Sequence, residues 1–144
     1  MNPALHSPVA APTPAIAPLR VLIVEDHAPT RTAIALLLER EFPRMAVIGT
    51  ASDGVAALRA VVESAPEVVV LDLDLDGKDG LELIPAISRD IAVIILTSSD
   101  DLMARPRAFA AGATAFVSKL SPAQELISAI LAVRPGLADI GALS

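Results

Sequence analysis

Residues Val68 to Gly80 read VVVLDLDLDGKDG: four apolar residues without alternation, then a burst of carboxylates and two glycines. So short a branched run predicts a strand buried on both faces, as in a parallel sheet covered by helices on each side. Asp72 then stands where the strand ends. In open α/β sheets the carboxyl ends of the strands are where ligands bind, so a carboxylate emerging there is placed to do chemistry. The plain alternative is that Asp72, Asp74, Asp76 and Asp79 form a solvated turn after a core strand. What the rest of the chain brings to the same edge decides between them.

Upstream, Arg20-Val21-Leu22-Ile23-Val24 reads as a second apolar run, and it too ends in carboxylates, Glu25 and Asp26. A helix should follow, with Pro29 in its first turn and Ile34, Leu37 and Leu38 as its buried stripe, stopping before Pro43. Met45 to Thr50 reads as a strand, and Ser52-Asp53-Gly54 opens a helix carrying Val55, Leu58, Val61 and Val62, which Pro66 ends. After Gly80 a helix through Leu81, Leu83, Ile84 and Ile87 is expected, weakened by Pro85 if that residue lies beyond the first turn. Ile91 to Leu96 forms a fourth strand that exits into Thr97-Ser98-Ser99-Asp100-Asp101, where the two aspartates read as caps. Leu102 to Ala111 should be helical despite Pro106. Ala115 to Ser118 is the fifth strand, with Lys119 at its end. The last helix is predicted to start with Ser121 as N-cap, Pro122 at its first position and Gln124 completing a capping box; Leu126, Ile127, Ile130 and Leu131 supply its apolar face.

Five strand-helix units in alternation specify an α/β fold, a doubly wound five-stranded parallel sheet with five helices. Right-handed crossovers leave few ways to wind it. All five strand ends then share one edge, which gathers Glu25, Asp26, Asp72, Thr97 and Lys119. Each alone has a dull reading: a helix start, a cap, a surface amine. Together they put an acid pair, a lone acid, a hydroxyl and an amine at strand ends along one edge, which turn chemistry does not account for.

Composition bounds what such a site can do. The chain has 144 residues, the length of one domain with one substantial core, and 53% are hydrophobic with three Phe and neither Trp nor Tyr. A net charge of -6 argues against a surface built to neutralise phosphates, so no direct nucleic-acid contact is expected. The lack of cysteine excludes disulfides and thiolate chemistry, and no apolar stretch approaches the ~20 residues that span a bilayer. These features fit a cytoplasmic protein. Residues 1–18, rich in Pro and Ala, read as a flexible tail, residues 19–134 as the folded domain, and residues 135–144 as a short C-terminal tail without an output domain.

With these residues in hand the chain resembles the receiver domain of two-component response regulators. The matching elements are Glu25-Asp26 in IVEDH, Asp72 in VVVLDLDLDGKDGLEL, Thr97 in IILTSS, Phe116 in GATAFVSK, and Lys119, which lies 22 residues after Thr97. The resemblance implies a flavodoxin-like sheet of order 2-1-3-4-5. It implies that Asp72 accepts a phosphoryl group from the phosphohistidine of a sensor histidine kinase or phosphotransfer protein, or from a small phosphodonor, and that the domain later hydrolyses it without being an enzyme in the ordinary sense. It implies Mg²⁺ held by Asp26 and Asp72, by Glu25 through water, and by the backbone carbonyl of Asp74. Lys119 would meet a phosphate oxygen, while Thr97 moves inward and Phe116 rotates into the vacated space. The face of the fourth helix, fifth strand and fifth helix would then present itself to a downstream partner. Homodimerisation stays open, and no membrane contact is expected.

Three departures from the family pattern stand out: Asp76 where Pro is frequent, Leu120 rather than Pro after the lysine, and Pro106 in the signalling helix. Two other readings compete. A pseudo-receiver would keep the fold without phosphorylation. A phosphohydrolase of the haloacid dehalogenase type shares Asp72-x-Asp74, but its motif belongs on the first strand of its core, not the third. His27 follows the acid pair, yet the only other histidine is His6, so His27 reads as a helix-start residue rather than a metal ligand. Arg105 and Arg107 read as solvated helix charges.

Overall fold

In the computed structural model, residues 17–75 and 78–134 are described. The tail readings for residues 1–16 and 135–144, and the Asp76 departure, lie outside them. The element order is β1 (Leu19–Val24), α1 (Ala28–Glu39), β2 (Met45–Ala51), α2 (Gly54–Ser64), β3 (Val68–Leu71), β4 (Asp74–Leu75), β5 (Lys78–Asp79), α3 (Ile84–Ile87), β6 (Ala92–Thr97), α4 (Ala104–Ala111), β7 (Ala115–Ser118) and α5 (Ala123–Leu131).

Five strands form one parallel sheet of order β2-β1-β3-β6-β7, the expected doubly wound order. The unalternating runs are explained by what covers them. Leu19, Val21 and Ile23 of β1, Val68 and Val70 of β3, and Ile94 and Leu96 of β6 face the layer of α1 and α5. Leu22, Val24, Val69, Leu71, Val93 and Ile95 face the layer holding Ala57 of α2, Ile84 and Ile87 of α3, and Ala104 and Ala108 of α4. With both faces dry, successive residues gain equally from burial, about 1.5–3 kcal/mol for each Val, Leu or Ile. β1 and β2 slip by one residue between Val21 and Leu22, so Leu22 pairs with Gly49.

Local signals set the helix ends, with some differences from expectation. The Asp53 carboxylate caps α2 by accepting from the Ala56 N–H at 2.7 Å. The segment after Gly80 is one 3₁₀ turn, Gly80–Leu83, followed by the four residues of α3, with Pro85 in its first turn where the missing donor costs nothing. Helix α4 starts at Ala104 rather than Leu102: the Asp101 carboxylate accepts from the Met103 N–H at 2.9 Å and closes a separate turn ahead of it. Pro106 therefore falls on the third helical residue and does not break α4. The capping box at Ser121 is not formed. The Ser121 N–H is used in a turn onto the Ser118 carbonyl, and Pro122, at φ -55 and ψ 145, is the residue flanking α5, without a side-chain cap. Gln124 instead donates to Ser128 Oγ.

Two tight positions complete the frame. Gly112 ends α4 at φ 120, where an added Cβ would lie 2.5 Å from Ser88 Oγ at the end of α3. Ala65 ends α2 in the left-handed region at φ 47, the one non-glycine residue with positive φ among those described. A Cβ there costs about 1 kcal/mol against glycine. Ala65→Gly is expected to raise stability by about that amount, read as a higher urea midpoint at unchanged slope.

Candidate functional site

Backbone ladder bonds carry the register of the sheet past the strand ends. The Glu25 N–H donates to the Ala51 carbonyl at 3.0 Å, the Asp72 N–H to the Val24 carbonyl at 3.0 Å, and the Lys119 N–H to the Thr97 carbonyl at 2.9 Å. The residues that close β1, β3 and β7 are thereby held along one rim. Glu25, Asp72 and Thr97 are buried there, at 1%, 5% and 2% exposure, the only buried polar or charged residues among those described.

Lys119 joins the ends of three strands. Its Nζ donates to Glu25 Oε1 at 2.5 Å and to Asp72 Oδ2 at 3.0 Å. The other Asp72 oxygen accepts from the Asp74 N–H at 3.1 Å, and Glu25 Oε2 accepts from the His27 N–H at 3.2 Å. Burial pushes the Glu25 carboxyl above its ordinary value, against the opposing pull of the Lys119 hydrogen bond. Burial also works to lower the Lys119 amine, but its bonds to Glu25 and Asp72 prevail and the net shift is upward.

Glu25, Asp26 and Asp72 each present a carboxylate oxygen within 4.8 Å of the others. Like charges at about 4 Å repel by about 4 kcal/mol at the dielectric of a protein surface, so three clustered carboxylates favour a cation among them. Hard oxygen donors at this spacing fit Mg²⁺, which takes one or two carboxylates and keeps waters. Asp74 sits beside them in the β4–β5 hairpin, which the sequence reading did not anticipate; its side chain is exposed.

Thr97 is buried at the end of β6, where its Oγ1 accepts from the Ser99 N–H at 3.2 Å. Phe116 pairs with Ile95 in the β6–β7 ladder and is half-buried, part core and part surface. His27 is the exposed N-cap of α1, with Nδ1 2.6 Å from Thr30 Oγ1, and is not among the clustered acids. Arg105 is not simply solvated: its guanidinium carbon lies 5.3 Å from the Phe109 ring centroid and 5.9 Å from that of Phe116.

Two supporting residues escaped the sequence reading. Arg31, on α1, donates to the carbonyls of Glu25 at 2.9 Å and Asp26 at 3.3 Å, bracing the acidic turn from behind. Its place one helical turn after the acid pair was the available signal. Gly80 closes the loop that carries Asp72: its N–H donates to the Leu73 carbonyl at 2.6 Å, and an added Cβ would lie 2.7 Å from the Asp72 carbonyl and 3.0 Å from Leu73 Cα. Both obstacles are backbone and cannot swing aside.

Comparisons with known proteins agree with this geometry. The family model described as response regulator receiver domain matches residues 21–131. The transcriptional regulatory protein LiaR of Bacillus subtilis is 39% identical over 122 residues, covering 82% of this chain and 57% of LiaR. The chain thus spans little more than half of that relative. A LuxR-family two-component response regulator from Aurantimonas superposes with a TM-score of 0.74 at 34% identity, covering 85% of this chain and 94% of that one. The BeF3-activated N-terminal receiver domain of Klebsiella pneumoniae RstA superposes at 0.72 with 28% identity, covering 80% and 98%.

Two outcomes test the site. Gly80→Ala should cost about 1–3 kcal/mol and displace the Asp72 backbone, so that manganese binding followed by electron paramagnetic resonance weakens along with the urea midpoint. For Glu25, a folded-state value above the ordinary 4.5 means that the folded protein holds the proton more tightly than the unfolded chain. In metal-free protein its contribution to stability therefore falls as pH rises from there through the folded value. Urea unfolding of wild type minus that of Glu25→Gln should decline over this window; a flat difference would contradict it.

Proposed function

The chain belongs to the response regulator receiver domain family, and on that premise we propose that it is a phosphoacceptor switch in which Asp72 is the residue modified. The observation that carries the reading is the buried Asp72 carboxylate, bonded to Lys119 and clustered with Glu25 and Asp26.

The donor is the phosphohistidine of a sensor histidine kinase or phosphotransfer protein, or a small acyl phosphate. An Asp72 carboxylate oxygen attacks phosphorus in line. A new O–P bond forms as the donor's P–N or P–O bond breaks, and the leaving imidazole or carboxylate keeps the electron pair. Little covalent work is asked of the protein, so positioning and charge neutralisation dominate. Bound Mg²⁺ would supply charge neutralisation for the phosphoryl oxygens. Asp26 and Asp72 would hold it, with Glu25 acting through water and the Asp74 carbonyl contributing. Lys119 then exchanges its hold on Glu25 and Asp72 for a phosphate oxygen, as a compact point charge suited to that task. Hydrolysis of the resulting mixed anhydride by water returns the carboxylate and releases phosphate.

The same phosphate offers acceptors to the Thr97 hydroxyl. When Thr97 turns inward and leaves its Ser99 partner, Phe116 follows, and the α4–β7–α5 face changes for a downstream partner. Phosphate biases this equilibrium only by its differential contacts with the two arrangements.

Incubation with acetyl phosphate and Mg²⁺ should give a single labile phosphoryl adduct by intact-mass analysis, absent in Asp72→Ala. An unmodified wild type would indicate a phosphorylation-independent module, and sustained turnover of a generic phosphomonoester a hydrolase. Beryllofluoride with Mg²⁺ should raise the melting temperature of the wild type well above that of Asp72→Asn treated alike.

A further inference from the structure

Between α4, β7 and α5 lies an open groove of about 660 Å³, walled by Arg105 and Phe109 on one side, Phe116 at its floor, and Pro122, Glu125 and Ser128 on the other. Most of this lining is uncharged. The exception on the α4 side is Arg105, second residue of that helix, whose guanidinium reaches both aromatic rings at 5.3 and 5.9 Å. Both distances are within the ~6 Å at which a cation is attracted by a ring face. Phe116 offers no hydroxyl to hold it by hydrogen bonding, so whatever fixes its ring must act through packing or through the π face. Among the described residues, the cation over that face is Arg105.

We propose that Arg105 is a positioning residue for Phe116: its guanidinium holds the half-buried ring in place along the groove, and the movement that follows phosphorylation of Asp72 has to break this contact. The inference rests on the receiver reading for what triggers the movement, but the contact itself belongs to the resting protein. Its consequence is a threshold. A ring held by this contact lowers the population of the arrangement that favours the modified aspartate, and any ligand at Asp72 must supply the difference. Phe109 shares the same guanidinium, at 5.3 Å. Arg105 thus adds a side-chain contact between the start of α4 and β7, which the chain also joins through residues 112–114.

The three phenylalanines, Phe42, Phe109 and Phe116, make the test direct. With 4-fluorophenylalanine incorporated, the fluorine spectrum holds three lines, assigned by single Phe→Leu changes. In the resting protein, Arg105→Gln should move the Phe109 and Phe116 lines and leave that of Phe42, which lies in the α1–β2 connection. Titration with beryllofluoride and Mg²⁺ should then reach half-saturation at about two- to fivefold lower concentration in Arg105→Gln than in wild type, the fold-change expected from losing one exposed cation–π contact. Arg105→Lys, which keeps a cation on a flexible stem, should fall between them. An unmoved Phe116 line in resting Arg105→Gln, or equal half-saturation with a normal spectrum, overturns the proposal. Failure of the receiver reading looks different: beryllofluoride then changes neither the lines nor the melting temperature of the wild type, and the threshold role is overturned with it.

Discussion

The whole rim depends on one ammonium group placed between two buried carboxylates. Lys119 closes β7, yet its Nζ bonds to the acids that close β3 and β1, so a single side chain spans four of the five strand ends in the sheet order. Buried charges are tolerated only when paired and hydrogen-bonded, and here each partner has a second support: Asp72 from the Asp74 N–H, Glu25 from the His27 N–H. Removing Lys119 would leave both buried carboxylates without their cation. The arrangement is therefore poised for exchange. A second cation here would compete with Lys119 for the oxygens of Glu25 and Asp72.

That poise separates what the strands do from what the loops do. The sheet is rigid because both of its faces are packed, and it delivers backbone atoms to the rim in fixed register through ladder bonds that run beyond the strands themselves. The loops then determine which atoms face inward. Gly80 permits the loop after β3 to fold back onto Asp72, and Arg31 braces the carbonyls of the acid pair. Neither residue is part of the reacting set, and both constrain it.

Much of this was legible in the residues. Continuous apolar runs ending in Glu25-Asp26, Asp72, Thr97 and Lys119 predicted the parallel sheet, its edge and the cluster, because burial on both faces leaves an unmistakable pattern. Helix ends were less legible. Ser121-Pro122-x-Gln124 has the letters of a capping box, but the turn from Ser118 consumes the serine N–H and shifts the start of α5. Pro85 and Pro106 read as awkward for their helices and proved to be first-turn residues, since a proline's effect depends on its distance from a helix start that the sequence does not mark. The β4–β5 hairpin was hidden by its two-residue strands. The position of Arg105 over two rings was equally hidden: ring contacts across a groove leave no periodic trace.

The close approach at Gly112 gives α4 unequal ends. Its C-terminal residue is wedged against Ser88, with no room for even a methyl group, while its N-terminal side opens into a turn whose Leu102 and Met103 are 90% and 57% exposed. The most exposed large apolar side chains around α4 therefore stand at one end of it, in Leu102 and Met103 just ahead of Ala104, the buried first residue that ties the helix to the sheet.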